Sequence, residues 1–199
     1  MNLARKLQGA SAVLVVRGDD EAQWDPFPTS LTTADPATTR VVLISRKPTL
    51  APFLSRWNHL HDDSFERLCS VIIGGSFRRG KSRAQTLNTS ARVSLEAIAS
   101  PADLTDLGVL VDEYVRNWER SSKKTLVVHS SLTPVLQYVD LQSLFKFVVV
   151  LRACLQNTGS LGIFYIDGDA HEERTIGTLR TAFDAVVTES DGRWNVQYS

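Results

Sequence analysis

Charge of one sign is missing from this chain. Acidic and basic residues stand at 22 each, so no overall field draws it to nucleic acid, an anionic membrane or a cationic partner. Cysteine is scarce as well. The 199 residues hold two, Cys69 and Cys154, each inside an apolar run (LCSVII and LRACL). Thiols in such settings read as buried and reduced, not as a disulfide framework, which points to a reducing compartment and a cytoplasmic protein. Long hydrophobic stretches are lacking: nothing approaches the ~20 consecutive apolar residues that a membrane span needs. The opening MNLARKLQGASAVLVV has a short apolar run but neither the longer apolar region nor the small-residue cleavage site of a signal peptide. There is no internal repeat and no low-complexity tail.

What remains is the pattern of one ordinary domain, expected to span residues 1–199. Short apolar runs alternate with amphipathic stretches. The runs are Ala12–Val16, Val41–Ser45, Cys69–Ile73, Leu126–His129 and Leu161–Ile166. Between the third and fourth, Val93, Leu95 and Ala97 alternate with Ser94 and Glu96, which predicts a half-buried or edge strand. Leu50, Phe53, Leu54 and Trp57 recur at helical spacing. So do Leu107, Leu110, Val111, Tyr114, Val115 and Trp118, behind Pro101 and an opening Asp103 or Thr105. Asp140 is placed to cap a helix carrying Leu141, Leu144, Phe145, Val148, Leu151 and Leu155, with Gly159 at its close. A last helix is expected with Glu172 and Glu173 in its first turn and Ile176, Leu179, Phe183 and Val186 on one face. The C-terminal AVVTESDGRWNVQYS predicts a hairpin turned at Asp191-Gly192. Continuous apolar strands separated by helices imply a three-layer α/β/α sandwich on a mostly parallel sheet. Ligands of such sheets sit beyond the carboxyl ends of the strands. Here those ends are Arg17–Asp20, Ser45–Lys47, Gly74–Lys81, His129–Ser131 and Asp167–Asp169.

Several segments resemble the RecA/KaiC superfamily of P-loop ATPases. TLVVHSSLTPVLQYVDLQSLFKFVVVL resembles its Walker B strand and following helix. VVLISRKPT resembles the second core strand, and SLGIFYIDGDAHEERTIGTLRTAFDAVV the last core strand with its helix. DLTDLGVLVDEYVRNW together with SSLTPVLQYVDL is similar to haloarchaeal KaiC-like proteins of unknown function that lack Walker motifs. The neutral composition departs from the acidic one usual in haloarchaea. The resemblance implies a RecA/KaiC-like central sheet and side-by-side assembly. It also marks what has been replaced. The loop after the first strand, Arg17-Gly18-Asp19-Asp20-Glu21, has no Lys, and its three carboxylates would repel a triphosphate. Ser130 stands where the family has the Walker B Asp, and a hydroxyl cannot hold Mg²⁺ through an anionic oxygen. Arg46 and Lys47 stand where active relatives carry acidic catalytic residues. The expectation is a pseudo-ATPase with no cofactor, a regulatory or scaffolding domain that works through a protein partner or a homo-oligomer.

One segment suggests an alternative. Gly75-Ser76-Phe77-Arg78-Arg79-Gly80-Lys81-Ser82 matches G-x-x-x-x-G-K-[ST] and resembles the phosphate loop of atlastin-type GTPases. Gly75, Gly80, Lys81 and Ser82 would hold the phosphates of ATP or GTP with Mg²⁺, and Asp167 would serve as the Walker B carboxylate. Against this, the following SRAQTLNTSAR is a poor helix former, and no D-x-x-G or base-selecting motif is present. A second alternative is nucleic-acid binding through the basic patch Arg78, Arg79, Lys81 and Arg83, with Phe77 to stack on a base. His59 and His61 fall on different faces of a helix, so a metal there is disfavoured. His129 and Ser130 are strand neighbours facing opposite ways, which opposes a nucleophile–base pair. Asp167, Asp169, His171, Glu172 and Glu173 read as a helix cap with an acidic first turn rather than a cation site. Trp24, Trp57, Trp118 and Trp194 read as core or half-buried anchors.

Overall fold

In the computed structural model, which describes residues 3–18, 39–46, 54–55, 66–74, 92–119, 124–190 and 193–199, every apolar run of the sequence is a strand. In chain order the elements are α1 (Leu3–Lys6), β1 (Ala12–Arg17), β2 (Arg40–Ser45), β3 (Arg67–Ile73), β4 (Arg92–Ile98), α2 (Leu104–Glu119) and β5 (Thr125–His129). They continue with a short 3₁₀ turn (Val135–Gln137), α3 (Leu141–Asn157), β6 (Leu161–Asp167), α4 (Glu173–Arg180), β7 (Ala185–Ser190) and β8 (Arg193–Tyr198).

The strands form one eight-stranded sheet in the order β4-β3-β2-β5-β6-β1-β7-β8. All pairings are parallel except the closing hairpin of β7 with β8. The central strands are apolar throughout because both faces are covered. On β1, Ala12 and Leu14 face a core shared with α2, α3 and α4, while Val13 and Val15 face a second core closed by Leu3 and Leu7 and by Leu54. This is the three-layer α/β/α arrangement. β4 lies at one edge, and its alternation of exposed and half-buried residues fits that place.

Local chemistry sets the helix ends. Asp103 Oδ1 accepts from Asp106 N at the start of α2, 3.1 Å. Asp140 caps α3, accepting from Ser143 N at 2.7 Å and from the Ser143 hydroxyl at 3.0 Å. Gly159 follows α3 at φ 62°, the left-handed conformation that suits glycine. The last helix is shorter than its apolar spacing predicts. α4 ends at Arg180, where Thr181, Ala182 and Phe183 each donate to the carbonyl three residues back. Phe183 therefore sits on the connection, packed edge-on to Phe164 at 5.4 Å between centroids, and Val186 belongs to β7. The helix expected around Leu50–Trp57 lies outside the described residues apart from Leu54 and Ser55. Among the described residues, no helix is long and apolar enough to cross a membrane.

Candidate functional site

From β1 the chain proceeds to β2, across the sheet in one direction; from β6 it proceeds to β7, in the other. β1 and β6 are neighbours, so their carboxyl ends flank a topological switch point. The same reversal separates β2 from β5. Together these place Arg17–Gly18, Ser45–Arg46, Ser130 and Asp167–Asp169 along one crevice-forming edge.

At the first switch point, Arg17 stands in register with Asp167. Gly168 N donates to Arg17 O at 2.7 Å, clamping the two strand ends together. A Cβ on Gly168 would lie 2.8 Å from Val16 Cγ1, so this approach requires glycine. Asp167 N donates to Thr133 Oγ1 at 3.0 Å, and His171 Nε2 lies 3.1 Å from the same oxygen. The Asp167 carboxylate is turned back on its own chain: Oδ1 accepts from Asp169 N at 2.9 Å and from Ala170 N at 3.3 Å. That is an Asx turn. It corrects the helix-cap reading of this cluster, because the residue preceding α4 is Glu172, whose side chain makes no capping bond. Asp169 reaches across to β1. A Cβ on Gly18 would lie 2.8 Å from Asp169 Oδ2, so a carboxylate oxygen rests against the first residue beyond β1. The ground directly beyond β1 is thus taken by the Asp169 carboxylate.

At the second switch point, Ser130 N donates to Ile44 O at 2.8 Å and Ser130 is half-buried. His129 is buried, with its ring stacked on Phe164 at 6.2 Å and 20°. Its Nδ1 has no hydrogen-bond partner, and burial holds its pKa down at about 4. A neutral imidazole packed on Phe164 is part of the core and is not a base for Ser130. The two strand-end cations both meet aromatic faces. Arg17 lies 5.8 Å from the Trp194 ring centroid and Arg46 5.4 Å from that of Tyr138. Trp194 is thus a half-buried anchor and Trp118 a core residue.

Gly75, Gly80, Lys81 and Ser82, and the basic patch of Arg78, Arg79, Lys81 and Arg83, lie outside the described residues. So do Lys47, His59, His61, Trp24 and Trp57. What is described is the strand leading to that loop. β3 ends at Ile73 and runs into Gly74 at φ 76°. It stands three strand spacings from β6 and Asp167, about 14 Å. Among the described residues, no three His, Cys, Asp or Glu side chains are grouped to hold a metal ion.

Some contacts at these ends carried no signal in the sequence. Thr133 bridges Asp167 and His171 from 34 and 38 residues away. Only the paired glycines Gly18 and Gly168, each beside a strand end, hinted at close backbone approach. The two cysteines are free thiols, Cys69 buried and Cys154 half-buried. Burial pushes both up to about 12.

The mostly parallel sheet with its closing antiparallel hairpin belongs to the RecA-like α/β class of folds. Within that class, residues 10–189 match the model of a family of unknown function, DUF7504, and the chain belongs to that family. Two solved structures share the fold. The Project ID PH0250 protein from Pyrococcus horikoshii OT3 is 13% identical, with a TM-score of 0.60 over 100% of this chain and 93% of its own. The flagellar accessory protein FlaH from Methanocaldococcus jannaschii is 11% identical, with a TM-score of 0.50 over 98% of this chain and 81% of its own. No curated protein matches the chain.

Proposed function

We propose that the chain is a catalytically degenerate RecA/KaiC-like domain that acts through protein–protein contacts as a regulatory or scaffolding element. The observation that carries this reading is the placement of Asp169. Its carboxylate occupies the ground beside Gly18 where a RecA-like phosphate cradle would start. A triphosphate brought there would meet that charge at close range, and two carboxylates of Asp19 and Asp20 follow in sequence. The supporting positions agree. Ser130 replaces the metal-holding Asp, Arg46 and Lys47 replace acidic residues, and Asp167 spends its Oδ1 on backbone amides. The kinship with haloarchaeal KaiC-like proteins lacking Walker motifs is part of this reading, carried by the α2 and β5–α3 sequences.

The second reading is a nucleotide site at Gly75–Ser82. It is favoured by its context, a buried parallel strand running into a glycine of positive φ. Titration with Mg-ATP and Mg-GTP by calorimetry, together with a phosphate-release assay, separates the two. The first reading expects no heat and no turnover. Turnover that disappears in Lys81→Ala would reject it in favour of the second.

A further inference from the structure

We propose that Arg67 and Arg92, in one row with Arg40, form a binding site for a phosphate group at the amino ends of the strands. This edge lies opposite the one that carries the switch points, and the inference does not rest on the reading given above.

Three neighbouring parallel strands begin with arginine in the same register. Arg40 of β2 stands beside Arg67 of β3, and Arg67 beside Arg92 of β4. Adjacent strands lie about 4.8 Å apart. Val42 and Cys69, two residues further on, face the core shared with α2, so the row lies on the α2 side of the sheet. The end of α2 meets it there: Arg40 Nη1 donates to Trp118 O at 2.6 Å. Burial falls off along the row. Arg40 is buried, Arg67 half-buried and Arg92 exposed on the edge strand. Lys124, whose carbonyl accepts from Arg40 N, adds a further cation at the same edge.

Like charges side by side repel, and the fold neutralises one of the three. Glu66 accepts from Arg40 Nε at 2.9 Å and from Arg40 Nη2 at 3.1 Å, so both of its oxygens are engaged by a single guanidinium. Among the described residues, no carboxylate pairs with Arg67 or Arg92. Arg67 Nε is also buried with no hydrogen-bond partner. A buried donor left unmet costs free energy that a bound acceptor restores.

The chemistry of the pair selects the ligand. A carboxylate has two oxygens and one charge, and Arg40 with Glu66 shows that one guanidinium satisfies it. Two guanidiniums on strands about 4.8 Å apart suit a group that presents three oxygens and close to two negative charges, which is a phosphate. A magnesium-bound triphosphate is a poor fit, because the metal takes oxygens of the β- and γ-phosphates that the two guanidiniums need. The ligand is therefore inorganic phosphate or a small phosphate monoester.

Titration of the isotope-labelled whole chain followed by NMR tests this, with sodium chloride holding the ionic strength constant. One arm uses inorganic phosphate and the other glycerol phosphate. The expected result is a saturable shift of the Arg67 Nε–H and of the Arg67 and Arg92 amides, with a dissociation constant of about 1 mM or tighter in at least one arm. The tighter arm names the source of the phosphate. Arg92→Gln, at an exposed position, is expected to weaken binding at least about fivefold, and Arg67→Gln more. Arg67→Lys keeps the charge without the planar fork and is expected to bind as poorly as Arg67→Gln. Failure to saturate by about 10 mM in both arms overturns the proposal. Binding unchanged in Arg92→Gln overturns it, and so does full binding in Arg67→Lys, which would reduce the row to a diffuse positive field. Magnesium nucleotides do not suit the row, so this titration and the nucleotide titration can fail separately.

Discussion

Burial of His129 couples the protein's stability to pH. In the unfolded chain an imidazole titrates near 6.5; in the fold its pKa lies at about 4, because the charged ring would be desolvated between Phe164 and the helices. Between those values the unfolded chain binds a proton that the folded chain refuses. The contribution is therefore intact above pH 6.5 and shrinks as pH falls from 6.5 toward 4. At pH 5 it amounts to a loss of about 2 kcal/mol. Urea unfolding of the native protein and His129→Leu at pH 7 and pH 5 isolates the effect. The native protein is expected to lose about 2 kcal/mol more than the variant over that interval. Equal losses would mean that His129 is not held neutral. The sequence placed His129 correctly in a buried strand. It did not foretell the unpartnered Nδ1, because the ring's surroundings come from β6 and the helices, which are distant in the chain. Asp167 shows the same limit. Its presence at a strand end was legible, but its commitment to an Asx turn depends on the backbone path of Asp169 and Ala170.

Elements were read more faithfully than contacts, since hydrophobic period is local information. The spacing of Leu107 through Trp118 and the Asp140 cap defined α2 and α3 closely, and alternation at Val93–Ala97 marked β4 as an edge. α4 was overextended because Phe183 and Val186 continue its spacing by coincidence; the turn at Thr181–Phe183 ends it first. Two glycines test how these elements meet. Gly162 lies on β6 beneath α3, and a Cβ there would stand 2.6 Å from both Leu155 Cδ1 and Phe164 Cε2. Both side chains are wholly buried, so neither has room to yield. Gly162→Ala is expected to destabilise by about 1–3 kcal/mol. Gly177, inside α4, has nothing within 4 Å of its added Cβ. Gly177→Ala is expected to stabilise by about 0.5–1 kcal/mol through helix propensity. Thermal or urea unfolding of the pair reads both signs in one experiment. Destabilisation by both would mean that α4 does not tolerate the added methyl.

At the scale of the molecule, the parallel sheet was legible from continuous apolar runs, but its order was not. Strand order is set by which crossovers pack, and that depends on pairing between residues far apart, such as Arg17 with Asp167. The order is also what creates the switch points, so the site could be anticipated only as a set of strand ends. Their present occupants imply a further test. If the fold's stability rests on its two cores and owes nothing to a bound nucleotide, ligand should leave the melting temperature alone. A site with a dissociation constant of about 50 µM would gain ~2.7 kcal/mol from about 5 mM ligand. For a chain of this length that corresponds to a rise of roughly 5–10 °C. The degenerate reading expects Mg-ATP and Mg-GTP at such concentrations to shift the transition by no more than about 1 °C. A rise of several degrees, kept in Asp169→Asn but lost in Lys81→Ala, would move the nucleotide from the β1–β6 switch point to the loop after β3. A rise enhanced by Asp169→Asn would instead show that the crevice beside Gly18 still admits phosphate, with the carboxylate of Asp169 as the barrier that keeps it weak.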